Sequence, residues 1–165
     1  MEIRRAFDAD LGALVAVLGQ PHFFADCLAR QRGEGGVLLV AWLDGRPAGD
    51  VLLTWEPADE PEVRRWLPGV PRPVHLEVLG PLQRRGIGTA LIRAGEDLAR
   101  RLARSGSPSA WGVDNPDARR LYERLGYVDW GHGTVVATWQ ERDHDGTPVT
   151  CSEALDTLVR PSERR

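Results

Sequence analysis

The chain contains no lysine. All 21 of its basic residues are arginine, 24 residues are acidic, and the formal net charge is −3 at pH 7. The lack of lysine excludes a Gly-x-x-x-x-Gly-Lys-Ser/Thr phosphate loop, because that loop needs the lysine ammonium to reach the phosphates. The acidic balance argues against nucleic acid as a partner, since nucleic-acid-binding domains concentrate basic residues on one face.

Long apolar runs and paired cysteines are lacking as well. No apolar run approaches the roughly 20 residues that a membrane-spanning helix requires, and the N-terminus has no basic-then-apolar signal pattern. The two cysteines, Cys27 and Cys151, lie far apart and match no metal-ligand spacing. We therefore expect a cytoplasmic protein with no membrane contact and no metal. A length of 165 residues predicts one domain over residues 1–165.

Hydrophobic periodicity predicts alternating strands and helices. Strands are expected at residues 2–7, 37–43, 48–55, 74–79, 109–113, 134–140 and 147–159, the last interrupted near 152–154. Helices are expected at residues 11–18, 23–31, 87–102 and 116–125, and residues 56–73 should form a loop with at most one helical turn. This order predicts an α/β fold with a mixed sheet.

A glycine loop joins the strand at 74–79 to the helix that follows it. The loop reads Gln83-Arg84-Arg85-Gly86-Ile87-Gly88-Thr89-Ala90. Since Gly86 and Gly88 lack a Cβ atom, the backbone can turn sharply and its N–H groups can approach a ligand. The unpaired N–H groups at the start of the helix favour a pyrophosphate. A plain strand-to-helix turn would contain the same glycines.

A second motif follows one strand later, at residues 115–127, and reads Asn-Pro-Asp-Ala-Arg-Arg-Leu-Tyr-Glu-Arg-Leu-Gly-Tyr. Together the two motifs resemble those of the GCN5-related N-acetyltransferases. In that family the acetyl-CoA loop reads Gln/Arg-x-x-Gly-x-Gly/Ala, and the next motif reads Asn-x-x-Ala-x-x-Leu-Tyr-x-x-x-Gly-Phe/Tyr. The matching positions are Gln83, Gly86, Gly88, Asn115, Ala118, Leu121, Tyr122, Gly126 and Tyr127.

The resemblance implies the GNAT fold, an α/β fold whose mixed, mostly antiparallel central sheet is flanked by helices. A V-shaped splay is expected between the fourth and fifth strands, with an acetyl-CoA-binding core at about residues 74–127. The pantetheine arm is expected to pair with the backbone of Val78 and Leu79. Asn115 either contacts the pantetheine or only caps its helix. The pyrophosphate is expected on the amides of Arg84, Arg85, Gly86, Ile87, Gly88 and Thr89, beside Gln83.

The chemistry requires a base, because an amine with a pKa of about 10.4 is almost entirely protonated at pH 7. Glu77 is the leading candidate, and period 2 puts His75 on the same face of the strand. The alternatives are that Glu77 only lines the pocket or holds an arginine, and that His75 is structural.

Tyr122 matches the family tyrosine that donates a proton to the departing CoA thiolate. Its alternative role is that of a core aromatic residue. Some family members carry a glutamate on the strand before the asparagine. This chain has Ala110, Trp111 and Gly112 there instead, which leaves Asp114 as a weak substitute base that fits a turn residue better.

The sequence therefore predicts an acetyl-CoA-dependent N-acetyltransferase that moves an acetyl group to a primary amine by direct attack. A small-molecule acceptor is favoured over a protein acceptor. Acetyl-CoA and the amine are the expected partners, and a homodimer is left open. The alternatives are a non-catalytic CoA-binding sensor on the same fold and a different nucleotide-binding α/β protein. A toxin that acetylates aminoacyl-tRNA is disfavoured by the acidic balance.

Overall fold

The first half of the chain forms a four-stranded antiparallel sheet. The computed structural model describes residues 1–102, 109–113 and 115–161. The sheet has the order β1-β2-β3-β4 and consists of β1 (Glu2–Arg5), β2 (Gly36–Leu43), β3 (Arg46–Thr54) and β4 (Arg72–Val78). Asp44 and Gly45 connect β2 to β3 with φ angles of 50° and 75°. Two residues with positive φ form the tight hairpin turn that an Asp-Gly pair favours.

Helices cover both faces of this sheet. On one face, α1 (Leu11–Leu18) and α2 (Pro21–Arg32) pack against side chains of β2 and β3. On the other face lies α4 (Ile87–Arg101), whose residues Ile87, Leu91 and Ile92 belong to a second core cluster. Both faces of β2 and β3 are therefore buried, which explains their nearly continuous apolar sequences. A short helix, α3 (Pro61–Trp66), lies in the long connection before β4, where the sequence predicted a loop with at most one helical turn.

The second half of the chain forms another antiparallel sheet. Its strands are β5 (Ser109–Val113), β6 (Val128–Asp129), β7 (Val135–Arg142) and β8 (Pro148–Val159), with α5 (Pro116–Arg124) between β5 and β6. The predicted interruption of the last strand near residues 152–154 is wrong, because β8 runs unbroken for 12 residues. What changes is its partner: Leu155 pairs with Val135 of β7, and Asp156 pairs with Val113 of β5.

The two sheets part between β4 and β5. These strands lie close together, yet within residues 1–102, 109–113 and 115–161 no ladder of hydrogen bonds joins them. This separation confirms the expected division of the sheet between its fourth and fifth strands. Every ladder among the described strands is antiparallel.

Both ends of α5 follow the sequence signals. The Asn115 side chain accepts a hydrogen bond from the Asp117 N–H at 2.8 Å, and Pro116 occupies the first turn. Gly126 follows the helix with a φ of 86°, a conformation that glycine adopts without steric cost. Among the helices of the described ranges, none is both long and apolar enough to cross a membrane.

A buried ion pair fastens the end of β8 to α4. Glu96 of α4 is 3% exposed and accepts hydrogen bonds from the Tyr127 hydroxyl at 3.0 Å and from Arg160 Nη1 at 2.5 Å. Burial and the neighbouring Glu96 carboxylate raise the pKa of Tyr127, so its hydroxyl stays protonated and donates. A buried carboxylate needs such partners, since an unpaired buried charge is strongly destabilising.

Removing the Tyr127 hydroxyl should therefore destabilise the fold. Tyr127→Phe leaves Glu96 short of one donor, and we expect a loss of about 1–3 kcal/mol in the free energy of unfolding. Urea denaturation measures this loss. Tyr122→Phe is the matched control, because the Tyr122 hydroxyl has no hydrogen-bond partner among the described residues. Equal stability losses in the two variants would contradict the proposed importance of the Glu96 contact.

Candidate active site

The glycine loop follows β4 after a single 3₁₀ turn at Gly80–Leu82 and leads directly into α4. Arg84 and Gly86 both have positive φ angles, 59° and 83°. Gly86 is the N-terminal capping residue of α4, and no side chain caps this helix. The N–H groups of its first turn therefore keep their donors available, in contrast to those of α5, one of which is satisfied by Asn115. The loop has the geometry of an anion-binding site.

The two glycines of the loop serve different purposes. A Cβ atom on Gly86 would meet no atom within 4 Å, so Gly86 is required for its positive φ rather than for space. A Cβ atom on Gly88 would lie 3.3 Å from Leu121 Cδ2 of α5 and 3.8 Å from Val78 Cγ2 of β4. Gly88 thus allows α4 to begin close to both α5 and β4.

The outer edge of β4 carries the backbone groups that were predicted to meet the pantetheine. The Leu79 N–H donates to the Ala48 carbonyl at 3.0 Å, so it already has a partner on the β3 side. Successive residues of a strand direct their polar groups to opposite edges, so those of Val78 lie on the edge towards β5. The Gln83 side-chain amide donates to the Val78 carbonyl at 3.1 Å. Of the two predicted backbone partners, Val78 lies at the open edge.

Three titratable side chains meet on the opposite side of β4 from α4. Glu77 and His75 lie one pleat apart, as the sequence predicted, and Asp50 of β3 is the register partner of Glu77. His75 Nε2 lies 3.5 Å from both Asp50 Oδ1 and Glu77 Oε2. These distances exceed the usual range of about 2.7–3.2 Å for an N–H···O hydrogen bond.

Exposure falls steeply across these three residues, which we call the acid–histidine cluster. The side chain of Glu77 is 39% exposed, that of His75 27%, and that of Asp50 0%. Burial, and secondly the charge of Glu77, raise the pKa of Asp50 to about 8. Burial also lowers the pKa of His75, against the opposing effect of Glu77. Of the three, Glu77 is the most exposed to solvent, and Asp50 is closed off from it.

The junction of α1 and α2 completes this cluster. Gln20 adopts a left-handed backbone conformation with a φ of 55°, and its side-chain amide donates to Glu77 Oε2 at 2.7 Å. The ring of Phe23 packs against His75 with 4.2 Å between ring centroids. A non-glycine residue with positive φ is uncommon and strained. Here that backbone conformation accompanies the hydrogen bond from the Gln20 amide to Glu77, the predicted base.

Tyr122 lies apart from the acid–histidine cluster. Its ring belongs to the core on the α4 face of the sheet, with Ile87 and Leu91, and makes an edge-on contact with Tyr127 at 5.4 Å between centroids. Burial raises the pKa of Tyr122, so its hydroxyl remains protonated and able to donate. The predicted base and the predicted acid therefore lie on opposite faces of the sheet, on either side of β4.

Asp50 and Gln20 are the site residues that sequence reasoning missed. Neither belongs to a motif, and Gln20 lies 57 residues from Glu77 in the chain. The only signal for Asp50 was a charged residue inside an apolar strand. Asp114, the weak substitute base, lies outside the described residues.

The acid–histidine cluster offers metal-ligand atoms. Asp50, His75 and Glu77 each contribute an oxygen or nitrogen, all within 4.8 Å of one another, and a second such group lies at Asp143, His144 and Asp145. The cysteine and histidine spacing predicted no metal, and side chains of both groups also occur together without one.

Comparison with known proteins places these features in a family. The sequence model of the Acetyltransferase (GNAT) family matches residues 2–127. Among curated proteins no match is found.

Several solved structures share the fold. The ribosomal-protein-S18-alanine N-acetyltransferase from Escherichia coli aligns with a TM-score of 0.62 and 16% identity, over 98% of this chain and 96% of that one. An aminoglycoside antibiotic 6'-N-acetyltransferase from Acinetobacter haemolyticus aligns with a TM-score of 0.61 and 18% identity, over 78% of this chain and 92% of that one. An aminoglycoside N-acetyltransferase in complex with CoA aligns with a TM-score of 0.62 and 15% identity, over 86% of this chain and 100% of that one.

Proposed function

Because the chain belongs to the GNAT family of acetyltransferases, we propose that it transfers an acetyl group from acetyl-CoA to a primary amine by direct attack. One observation carries this proposal. The open edge of β4 lies between an uncapped helix N-terminus, which suits a pyrophosphate, and Glu77, which suits a base. A single extended ligand along this edge would reach both.

The donor would be held mainly by backbone groups. The N–H groups from Arg84 to Thr89 and the positive end of the α4 dipole favour the CoA pyrophosphate. The polar groups of Val78 would pair with the pantetheine amide. The Gln83 side chain now donates to the Val78 carbonyl, so it would have to release this carbonyl or lie between it and the pantetheine. A structural neighbour contains CoA, which supports this assignment of the donor.

Glu77 would remove the proton that the acceptor amine loses. The neutral amine nitrogen then attacks the thioester carbonyl carbon and a C–N bond forms. The nitrogen of the tetrahedral intermediate releases its extra proton to solvent, and the C–S bond breaks. Gln20 donates to the Glu77 carboxylate, which fixes its orientation towards the acceptor. Tyr122 would donate its proton to the departing thiolate, since burial raises its pKa and keeps the hydroxyl protonated at neutral pH.

A small-molecule amine is the acceptor that we favour, with a protein N-terminus second. The similar structures include a ribosomal-protein-alanine N-acetyltransferase and an aminoglycoside N-acetyltransferase. The deciding experiment follows CoA release from acetyl-CoA with an aminoglycoside, spermidine, tyramine and an alanine-initiated peptide. Binding of acetyl-CoA without turnover on any amine would support the alternative, a non-catalytic CoA sensor on the same fold.

Gly86→Val should abolish acetyl-CoA binding in a folded protein. A β-branched residue is strongly disfavoured at a φ of 83°, so the loop would change shape and lose its aligned N–H groups. Calorimetric titration with acetyl-CoA measures the affinity. The control is Gly80→Ala in the same segment, where φ is not positive and a Cβ atom meets no neighbour within 4 Å. Wild-type affinity in Gly86→Val would contradict the pyrophosphate assignment.

Glu77→Gln should lower turnover at neutral pH by roughly 10²-fold, because the amide keeps the shape of the side chain but cannot accept a proton. Turnover should recover as the pH rises, since the free fraction of an amine with a pKa of about 10.4 grows about tenfold per pH unit. Profiles of kcat and KM from about pH 6 to 10 test this expectation. A raised KM with a pH profile parallel to the wild type would assign Glu77 to the pocket wall.

Tyr122→Phe should lower kcat by roughly 10²-fold or more and leave acetyl-CoA affinity nearly unchanged, because only the proton donor is removed. Steady-state kinetics and calorimetry on the same preparation measure both quantities. The Tyr127→Phe variant provides the control. The Tyr127 hydroxyl donates to Glu96, so its removal should affect stability more than turnover. Turnover within about twofold of the wild type would make Tyr122 a packing residue.

A further inference from the structure

Asp50 is a buried carboxyl without an evident partner. Its side chain is 0% exposed, and neither carboxyl oxygen has a hydrogen-bond partner among the described residues. It faces α1 and α2 rather than the solvent, since its strand neighbour Leu52 packs in the same core cluster as those helices. A polar group in this position is expensive unless it is neutral or hydrogen-bonded.

His75 Nε2 presents the complementary problem. This atom is also buried without a hydrogen-bond partner in the described part of the chain, and it lies 3.5 Å from Asp50 Oδ1. One proton between the two atoms would satisfy both. Catalytic hydrogen bonds are often long in the absence of ligand and shorten when substrate binds, so a small shift of either side chain would form this contact.

The surrounding charges decide which residue holds the proton. The titratable groups that face Asp50 are Cys27 of α2 and the His75 and Glu77 side chains of β4, while Glu141 of β7 acts on His75. The sequences of α1 and β2 contain no titratable residue. Cys27 is neutral, since burial raises its pKa to about 12.

These surroundings favour a neutral Asp50 and a neutral His75. Burial and the Glu77 carboxylate raise the pKa of Asp50 to about 8, whereas burial lowers that of His75. Near neutral pH the carboxyl proton therefore belongs to Asp50, and the unprotonated imidazole Nε2 can accept a hydrogen bond from it.

We propose that Asp50 is a positioning residue that works in its protonated form, donating a hydrogen bond to Nε2 of His75. This inference rests on the proposed function, in which Glu77 is the base. While Nε2 accepts this hydrogen bond, the imidazole is neutral, carries its proton on Nδ1 and presents no N–H to Glu77 Oε2, 3.5 Å away. The Glu77 lone pair remains available for the proton of the acceptor amine.

The proposal predicts the tautomer of His75 without any substrate. Long-range ¹H–¹⁵N spectra of the labelled protein at pH 7 should show an unprotonated, hydrogen-bonded Nε2, with the signals assigned by their loss in His75→Gln. Asp50→Asn should preserve this state, because the amide also donates, whereas Asp50→Ala should lose it. A protonated Nε2 in the wild type overturns the proposal. The proposal is also overturned if EDTA changes the His75 signals of the protein as purified and added Zn²⁺ restores them, since the cluster would then hold a metal.

Kinetics on the same variants test the consequence for catalysis. With acetyl-CoA and the best amine of the panel, Asp50→Asn should keep kcat within about threefold of the wild type and Asp50→Ala should lower it by about tenfold or more, with the KM for acetyl-CoA unchanged. The ratio of wild-type to Asp50→Asn turnover should fall above about pH 8, where Asp50 ionises. An equal loss in both variants, with both folded by their melting curves, would show that Asp50 works ionised and overturn the proposal.

The proposed function and the proposed role of Asp50 fail in different experiments. If no amine is acetylated by the wild type, the proposed function fails, while the His75 tautomer still tests the Asp50 contact. If Glu77→Gln lowers turnover and Asp50→Ala does not, Glu77 remains the base and the role of Asp50 is wrong.

Discussion

The open edge of β4 is the constraint on which the rest of the site depends. A strand presents hydrogen-bonding groups along both edges, and β4 pairs with β3 along one edge only, within the described chain. Groups on its other edge must find partners outside the sheet, as the Val78 carbonyl does with Gln83. The same strand directs Glu77 and His75 to the α1–α2 face and ends one short turn before the glycine loop. One short strand thus fixes the position of the proposed donor site, of the proposed base and of the path between them.

Two buried carboxyl groups show how the protein uses charge differently for structure and for the site. Glu96 is surrounded by donors from Tyr127 and Arg160, so its charge is compensated and the contact joins two distant parts of the chain. Asp50 is more deeply buried, yet its nearest titratable neighbours are a histidine and another carboxylate. Burial without a compensating cation favours the protonated acid. The first carboxyl stabilises the fold, and the second is suited to controlling its neighbours.

The sequence by itself determined those features that depend on local chemistry. The Asp44-Gly45 turn, the Asn115 cap with Pro116 behind it, and the positive φ at Gly86 and Gly126 each follow from what a few consecutive residues can adopt. The two motifs also sufficed to indicate the family, because nine residues match its pattern at the family's spacing. Period 2 along β4 correctly placed His75 beside Glu77.

Tertiary structure alone decided what surrounds the predicted base. Asp50 and Gln20 reach Glu77 through strand pairing and through the packing of the α1–α2 junction, and neither contact leaves a periodic or motif signal in the chain. The continuity of β8 was likewise set by its change of partner from β7 to β5. Pairing register and burial arise from contacts between residues distant in sequence. The charge states of Asp50 and His75 depend on that burial, so they too were decided by the folded structure rather than by residue type.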